Sequence, residues 1–227
     1  MVQEFLQHQW DEEIKMNHFS TSFSVELLPG MVIQLCFAVP KPGLSKFCLV
    51  NDHMAGRFSL NAAIPPEDGS FWPDNLWDLG SLLLAFYWTS GRMPAWIFKS
   101  DASSAYWLLP CHPRWQVQQA TMIDGSFHID WCCVFGNHAS GAIWCAFYAL
   151  VLWAGVNVKG LPDLLRYADN AFSFEPNETL EFYALYDSWY PKKQVGLLKL
   201  FDKVGIPHEK RKQEYGRELT SSGYESV

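Results

Sequence analysis

Residues 161–176 read LPDLLRYADNAFSFEP, two short apolar runs on either side of the pair Asp169-Asn170. The pattern predicts a β-hairpin with an acid at its tip, because Asp and Asn side chains bond their own backbone in turns. A second run, AWIFKSD at 95–101, predicts a strand that also ends on an acid, Asp101. The predictions of the fold and of the functional site both start from these two runs.

Acids at the ends of two strand-like runs favour a metal site over turn chemistry alone. A lone acid at a hairpin tip is more often an ordinary turn residue. Carboxylates that converge from neighbouring strands, by contrast, can hold two Mg²⁺ ions for in-line phosphoryl transfer, because hard cations prefer oxygen ligands. We therefore expect Asp101 and Asp169 to lie at adjacent strand ends.

Elements on both sides of these runs predict the fold class. They are a helix at 76–88 that begins after Asp74 or Asn75, a hairpin that turns at Asp124-Gly125, and helical spacing at 178–190 and 194–204. Hairpins mixed with helices, without regular βαβ units, predict an α+β fold.

The stretch 139–158 carries no ionisable charge over 20 positions, which is long enough to span a bilayer. Its continuous apolar part, 142–154, has the length of a helix buried in a soluble core, and the run 79–88 is predicted as another buried helix. A membrane span remains the alternative, although we expect no membrane partner.

Charge is unevenly distributed along the 227 residues. The formal net charge of −7 argues against a general nucleic-acid binder, yet residues 192–217 hold eight Lys and Arg against three Asp and Glu. This basic segment is either a solvated helix face or a strip that follows phosphates.

Six cysteines are scattered without a disulfide framework, and the N-terminus lacks the pattern of a signal peptide. We therefore expect an intracellular protein, in cytoplasm or nucleus, with reduced thiols and no disulfide-linked partner.

The motifs resemble those of reverse transcriptases, in particular the reverse-transcriptase-like proteins of retroelements in fungal genomes. The resemblance covers about residues 36–227. Its segments occur in the family's order: FAVPKPGLSKFCLVND at 37–52, KSDASSAYWLLPCHP at 99–113, VFGNHASGAIWCAF at 134–147, LLRYADNAFSF at 164–174, GIPHEKRKQEYG at 205–216 and LTSSGY at 219–224.

The resemblance implies a polymerase palm, an antiparallel sheet backed by helices, with partial fingers. By this comparison, residues 1–35 are an N-terminal extension, residues 36–95 are fingers-like and residues 96–227 are palm-like. The stretch 142–154 then becomes a palm helix, and the thumb is expected to be absent after Val227.

The resemblance also implies a site for RNA-directed DNA polymerisation, with a nucleic-acid template-primer and deoxynucleotides as partners. Asp101 and Asp169 would hold two Mg²⁺ or Mn²⁺ ions, and Asn170 completes the catalytic motif. The implied substrate contacts are Tyr106 as the gate against a ribose 2′-hydroxyl, the Phe135-Gly136 turn, Lys41, Lys46 and Lys99 on phosphates, and Lys210 as the acid for pyrophosphate.

Two departures from the family pattern predict an impaired site. Asn170 stands where a second Asp is usual, and a neutral amide lacks the charge that holds a divalent cation. Cys48 stands where relatives commonly carry an Arg, and a thiol cannot make a bidentate bond to phosphate. The sequence leaves two hypotheses open: a degenerate reverse-transcriptase-like nucleotidyltransferase, or a non-catalytic remnant that binds nucleic acid or protein.

Overall fold

The structure is a computed structural model that describes residues 2–23, 26–40, 47–55 and 59–219. It combines helices with small antiparallel sheets, which confirms the predicted mixture of the two. The helices are α1 (Val2–Lys15), α2 (Leu76–Ser90), α3 (Pro113–Gln116), α4 (His138–Lys159) and α5 (Lys192–Val204). The strands are β1 (Leu35–Pro40), β2 (Phe47–Asp52), β3 (Trp96–Asp101), β4 (Ala120–Ile123), β5 (Ser126–Ile129), β6 (Leu165–Tyr167), β7 (Asn170–Glu175), β8 (Leu180–Tyr183), β9 (Ser188–Pro191) and β10 (Gln213–Gly216).

The chain divides into two compact units, each built from two stretches of sequence. The first unit comprises Met1–Phe71 and Tyr106–Trp144, and the second comprises Trp72–Ala105 and Cys145–Val227. The first unit contains the hairpins β1-β2 and β4-β5, and the second contains a four-stranded sheet and the hairpin β8-β9. The predicted fingers-like and palm-like ranges stay a prediction.

The second unit is organised around the four-stranded antiparallel sheet, in the order β10-β3-β7-β6. Helix α5 packs on this sheet, and its Gln194 donates from Nε2 to the Ser100 hydroxyl at 3.2 Å and to the Lys99 carbonyl at 3.1 Å. Phe98 and Ser100 are fully buried, as are Val195 and Phe201 of α5. Burying apolar side chains of both elements anchors the sheet to the helix.

Both predicted hairpins are confirmed, and both use the shortest turns. In the β6-β7 hairpin Tyr167 pairs with Asn170, so that only Ala168 and Asp169 form the turn, and Ala168 has a φ of +51°. In the β4-β5 hairpin Asp124 and Gly125 both have positive φ, as two-residue turns between twisted strands require.

Helix α2 begins where predicted and runs to Ser90, two residues past the predicted end, but it is not buried as predicted. Asn75 and Asp78 form a capping box, and Gly91 ends the helix with a φ of +70°. Every described residue of α2 keeps some exposure, and Trp77 and Trp88 are 86% and 79% exposed. The prediction of a buried helix is wrong, because an uninterrupted apolar composition does not determine how many faces of a helix are covered.

Helix α4 is covered on one side only, so the expectation of a buried core helix is met along one face and not around the helix. Tyr148, Val151 and Leu152 are buried, whereas Leu150 and Trp153 are more than half exposed. Among the described residues, α4 is the one helix whose length and composition would suffice to cross a membrane.

The segment 178–190 forms two strands where helical spacing predicts a helix. Strands β8 and β9 pair across a 3₁₀ turn at Ala184–Tyr186, which ends at Asp187 with a φ of +47°. Aromatic side chains such as Phe182 and Trp189 favour a pleated, half-buried surface, and this preference outweighs the helical spacing.

The same substitution is expected to destabilise the protein by different amounts on the two faces of α4. Leu152→Ala is expected to lower the free energy of unfolding by about 2–5 kcal/mol, because it removes buried methyl groups and leaves a cavity. The matched change Leu150→Ala, on the exposed face, is expected to stay within about 0.5 kcal/mol. Urea unfolding of both variants measures the difference, and equal losses would contradict one-sided packing.

Candidate functional site

The two acids meet where β3 ends and β7 begins. Asp101 is the last residue of β3 and is the direct antiparallel partner of Asn170, the first residue of β7. The Asp169 carbonyl accepts a hydrogen bond from the Ala102 amide at 2.9 Å. The register therefore brings Asp101, Asp169 and Asn170 together, and the predicted adjacency of the strand ends is confirmed.

Side-chain hydrogen bonds already connect these acids to neutral and basic partners. The Asn170 amide donates from Nδ2 to Oδ1 of Asp169 at 3.0 Å. The Lys212 ammonium donates from Nζ to Oδ1 of Asp101 at 2.8 Å, which forms a partly buried ion pair. Both carboxylates thus have a donor from the chain itself.

Lys212 is the site residue that sequence reasoning missed. The sequence marks it only as one of eight basic residues in the segment 192–217. Strand β10 pairs with β3 so that Gln213 faces Ser100, and continuing that antiparallel register by one residue places Lys212 opposite Asp101. Only the strand pairing reveals this position, since Lys212 and Asp101 are 111 residues apart.

The other lysines predicted from the sequence have different surroundings. Lys210 donates from Nζ to the Tyr186 carbonyl at 2.7 Å, and Lys99 pairs with Glu214 at 3.1 Å. Lys41 and Lys46 lie outside the described residues, as does nearly all of the predicted LTSSGY segment. The roles assigned to all four lysines stay predictions.

The electrostatics of the acid pair disfavour two negative charges. Burial raises the pKa of Asp169, and the nearby Asp101 carboxylate raises it further, while Lys212 and Lys99 oppose the shift. The pKa of Tyr148 on α4 lies well above its usual range, first because of burial and then because of the same two acids. Burial and the neighbouring acid therefore both favour the neutral form of Asp169.

The donor chemistry fits a hard divalent cation, although the charge does not favour tight binding. Asp101 and Asp169 offer carboxylate oxygens and Asn170 offers an amide oxygen, the ligand types that Mg²⁺ and Mn²⁺ accept. Lys212 offsets one of the two negative charges. Within the described ranges, no group of three or more His, Cys, Asp or Glu residues is placed to hold a metal ion.

The remaining predicted site residues lie in the first unit, where Tyr106 packs against the Phe135-Gly136 turn. The rings of Tyr106 and Phe135 meet edge to face, with centroids 4.5 Å apart. Gly136 has a φ of +103°, and a Cβ at this position would lie 2.1 Å from the Asn51 carbonyl oxygen. Only glycine fits this backbone position without displacing β2.

Asn61 fixes this turn to the first residue of α4. Its Nδ2 donates to the Gly136 carbonyl at 2.7 Å, and its Oδ1 accepts from the His138 amide at 2.9 Å. Asn61 itself is buried in the 3₁₀ turn Leu60–Ala63. No sequence signal marks Asn61, because its partners are backbone groups more than 70 residues away.

The fold is similar to that of solved foamy virus reverse transcriptases. A foamy viral protease-reverse transcriptase dRH in complex with double-stranded DNA matches over 98% of this chain, with 21% identity and a TM-score of 0.68. A foamy viral protease-reverse transcriptase with double-stranded DNA matches over 98% at 20% identity and a TM-score of 0.65. One with an RNA/DNA hybrid matches over 92% at 19% identity and a TM-score of 0.62.

These comparisons establish a reverse-transcriptase-like fold. The chain spans 33%, 39% and 23% of the three solved chains, in the same order. No protein-family profile and no curated protein sequence matches the chain. The comparisons do not support the finer link to retroelements of fungal genomes, which stays a prediction.

The Phe135-Gly136 turn predicts a steric requirement at one position. Gly136→Ala is expected to lower the free energy of unfolding by at least about 2 kcal/mol more than Gly125→Ala does. Positive φ strains both variants, but only the Cβ of Gly136→Ala overlaps a backbone oxygen. Gly125 is the matched control, since it has a φ of +76° and open space around a Cβ. Denaturant unfolding measures both costs, and similar values would disprove the close approach.

The raised pKa of Asp169 predicts that replacing this carboxylate with a neutral side chain stabilises the protein, by an amount that depends on pH. Because the pKa is higher in the folded state than in the unfolded chain, the wild-type protein loses stability as the pH rises through the folded value. Asp169→Asn avoids this loss and is expected to raise the melting temperature by a few degrees at pH 7. The gain should disappear as the pH falls below the range in which Asp ionises.

Thermal unfolding across pH 3–8, a range set by ordinary Asp titration at about 3.9, checks this expectation. Asp124→Asn, in the exposed β4-β5 turn, is the control for removing one carboxylate elsewhere in the chain. A gain for Asp169→Asn that persists at low pH would contradict the electrostatic cause.

Proposed function

We propose that this chain is a retroelement-derived nucleotidyltransferase domain of the RNA-directed DNA polymerase type, with a degenerate catalytic site. The observation that carries the proposal is the pairing of Asp101 with Asn170, which sets two acids and an amide at adjacent strand ends. The fold is similar to reverse transcriptases over nearly the whole chain, which supports the assignment. In this proposal the second unit's sheet is the palm.

The proposed chemistry is attack of a primer 3′-hydroxyl on the α-phosphate of an incoming deoxynucleotide. Asp101 and Asp169 would hold Mg²⁺ or Mn²⁺, and the bound ions would supply positive charge that offsets the charge developing on the phosphate. Asn170 orients Asp169 through its amide hydrogen bond. Tyr106 would exclude a ribose 2′-hydroxyl, and Lys210 would donate a proton to pyrophosphate.

The proposed degeneracy follows from charge. Asn170 provides an amide in place of a carboxylate, which removes one negative charge from the metal site. Lys212 adds a positive charge directly on Asp101. Cys48 lies on β2 and replaces the guanidinium that the family resemblance leads us to expect at that position.

Nucleic acid is the proposed partner, held with low affinity. The foamy virus structures are complexes with double-stranded DNA or an RNA/DNA hybrid. In this chain, however, several cations of the basic segment pair with acids: Lys199 with Glu181, Arg211 with Glu209, Lys212 with Asp101 and Arg217 with Glu178. Phosphate contacts would have to compete with these pairs, so binding should be weak and sensitive to salt.

A non-catalytic remnant of the same fold is the second candidate function. The ion pair between Lys212 and Asp101 favours it, because it stabilises the acid without any metal ion. Such a remnant would bind nucleic acid or protein and perform no chemistry. Primer extension separates the two candidates.

The unmodified chain is expected to show little or no primer extension on an RNA template with Mg²⁺. Asn170→Asp combined with Cys48→Arg should raise extension about tenfold or more, the effect of one additional charge-assisted hydrogen bond in the transition state. Adding Asp101→Asn to that pair should abolish the gain. Incorporation of a labelled deoxynucleotide is the measurement.

Asn157→Asp combined with Cys48→Arg is the matched control, because Asn157 lies on the exposed last turns of α4 and the change adds the same charge. This control should stay at background. Strong activity in the unmodified chain would contradict degeneracy. A well-folded Asn170→Asp, Cys48→Arg variant without activity would favour the non-catalytic remnant.

A further inference from the structure

We propose that Lys212 acts as an internal cation that occupies Asp101 and regulates entry of a divalent ion. The inference rests on the proposed function, since it concerns the same pair of acids. In this role Lys212 holds the Asp101 carboxylate in place when no metal ion is bound, and it competes with a metal ion for that carboxylate. It makes no contact with the substrate.

The ion pair is placed where it is stronger than a surface salt bridge. The Lys212 Nζ lies 2.8 Å from Oδ1 of Asp101, the length of a charge-assisted hydrogen bond. The side chains of Asp101 and Lys212 are only 17% and 34% exposed. Solvent and salt therefore screen this pair less than they screen fully exposed pairs.

The backbone next to Lys212 is held in place, so the ammonium group is aimed at Asp101 by the fold. Gln213 is buried and donates from Nε2 to the Asp101 carbonyl at 3.2 Å and to the Glu209 carbonyl at 3.1 Å. Ser103 donates its hydroxyl to the Glu209 carboxylate at 3.2 Å. These contacts fix both the turn Lys210–Lys212 and the start of β10.

A divalent ion and the Lys212 ammonium would compete for the same carboxylate. Two positive groups on one carboxylate repel each other, so Lys212 on Oδ1 of Asp101 weakens the binding of a metal ion to that carboxylate. Lys99 does not add to this competition in the same way, because it pairs with Glu214. Because position 170 is an amide, only Asp101 and Asp169 supply negative charge to the candidate metal site. The affinity for a metal ion therefore depends strongly on whether Lys212 neutralises Asp101.

The test is the affinity for Mn²⁺, measured from the electron paramagnetic resonance signal of the free ion. Lys212→Met is expected to bind Mn²⁺ about tenfold more tightly than the unmodified chain, since tenfold corresponds to about 1.4 kcal/mol, the scale of one charge-assisted hydrogen bond. Lys212→Arg keeps the charge and should bind like the unmodified chain. Lys210→Met is the matched control, because Lys210 contacts the Tyr186 carbonyl and not the acids.

Thermal unfolding gives a second readout that needs no enzymatic activity. Without metal, Lys212→Met should melt at a lower temperature than the unmodified chain, because Asp101 loses its partner. Saturating Mn²⁺ should restore much of this loss in Lys212→Met and should shift the unmodified chain less. Adding Asp101→Asn to Lys212→Met should remove both the affinity gain and the Mn²⁺ shift.

The outcomes separate this inference from the proposed function. Equal Mn²⁺ affinity of the unmodified chain and Lys212→Met, with tighter binding by Asn170→Asp, would overturn the role of Lys212 and leave the metal site standing. An equal gain in Lys210→Met would also overturn it, because the effect would then be general charge. Absence of Mn²⁺ binding in every variant, Asn170→Asp included, would overturn both proposals.

Discussion

The antiparallel pairing of β3 with β7 is the constraint on which the rest of the second unit depends. It joins two segments that lie about 70 positions apart in the sequence, and it sets Asp101 directly opposite Asn170. In the same register, Phe98 and Ser100 of β3 and Ala171 and Ser173 of β7 are buried, and the acids lie at the strand ends. Core packing and the position of the site are therefore consequences of a single set of backbone hydrogen bonds.

Local signals in the sequence are sufficient for elements whose determinants are neighbours along the chain. The cap at Asn75, the end at Gly91 and the turn at Asp124-Gly125 all depend on residues within one helical turn or one hairpin. The helix predicted for segment 178–190 is wrong, because aromatic side chains satisfy helical spacing and strand alternation equally well until a partner strand is known. The exposed faces of α2 and α4 escape prediction for a related reason: composition reports how apolar a helix is, not which neighbours cover it.

In the candidate site, too, local sequence patterns reveal some residues and long-range contacts determine the others. Asp101 and Asp169 are recognisable because each follows an apolar run, a feature of the local sequence. Lys212 is not, because its contact with Asp101 depends on the pairing of β10 with β3. Asn61 is not recognisable either, since a buried amide that binds two backbone groups has no pattern in the neighbouring sequence. Long-range register is thus the information that the sequence pattern lacks.

The two-residue turn between β6 and β7 has a consequence for how this chain can change in evolution. Side chains of a strand alternate between faces, so an insertion between Tyr167 and Asn170 that shifted the register by one residue would turn every later β7 side chain to the opposite face. Buried Ala171 and Ser173 would then exchange places with their neighbours, and the pairing of Asp101 with position 170 would be lost. Substitutions such as Asp to Asn keep this length and leave the strand order intact. Single side chains of the hairpin can therefore change while the fold persists, and a carboxylate at position 170 requires a codon change and no rebuilding of the chain.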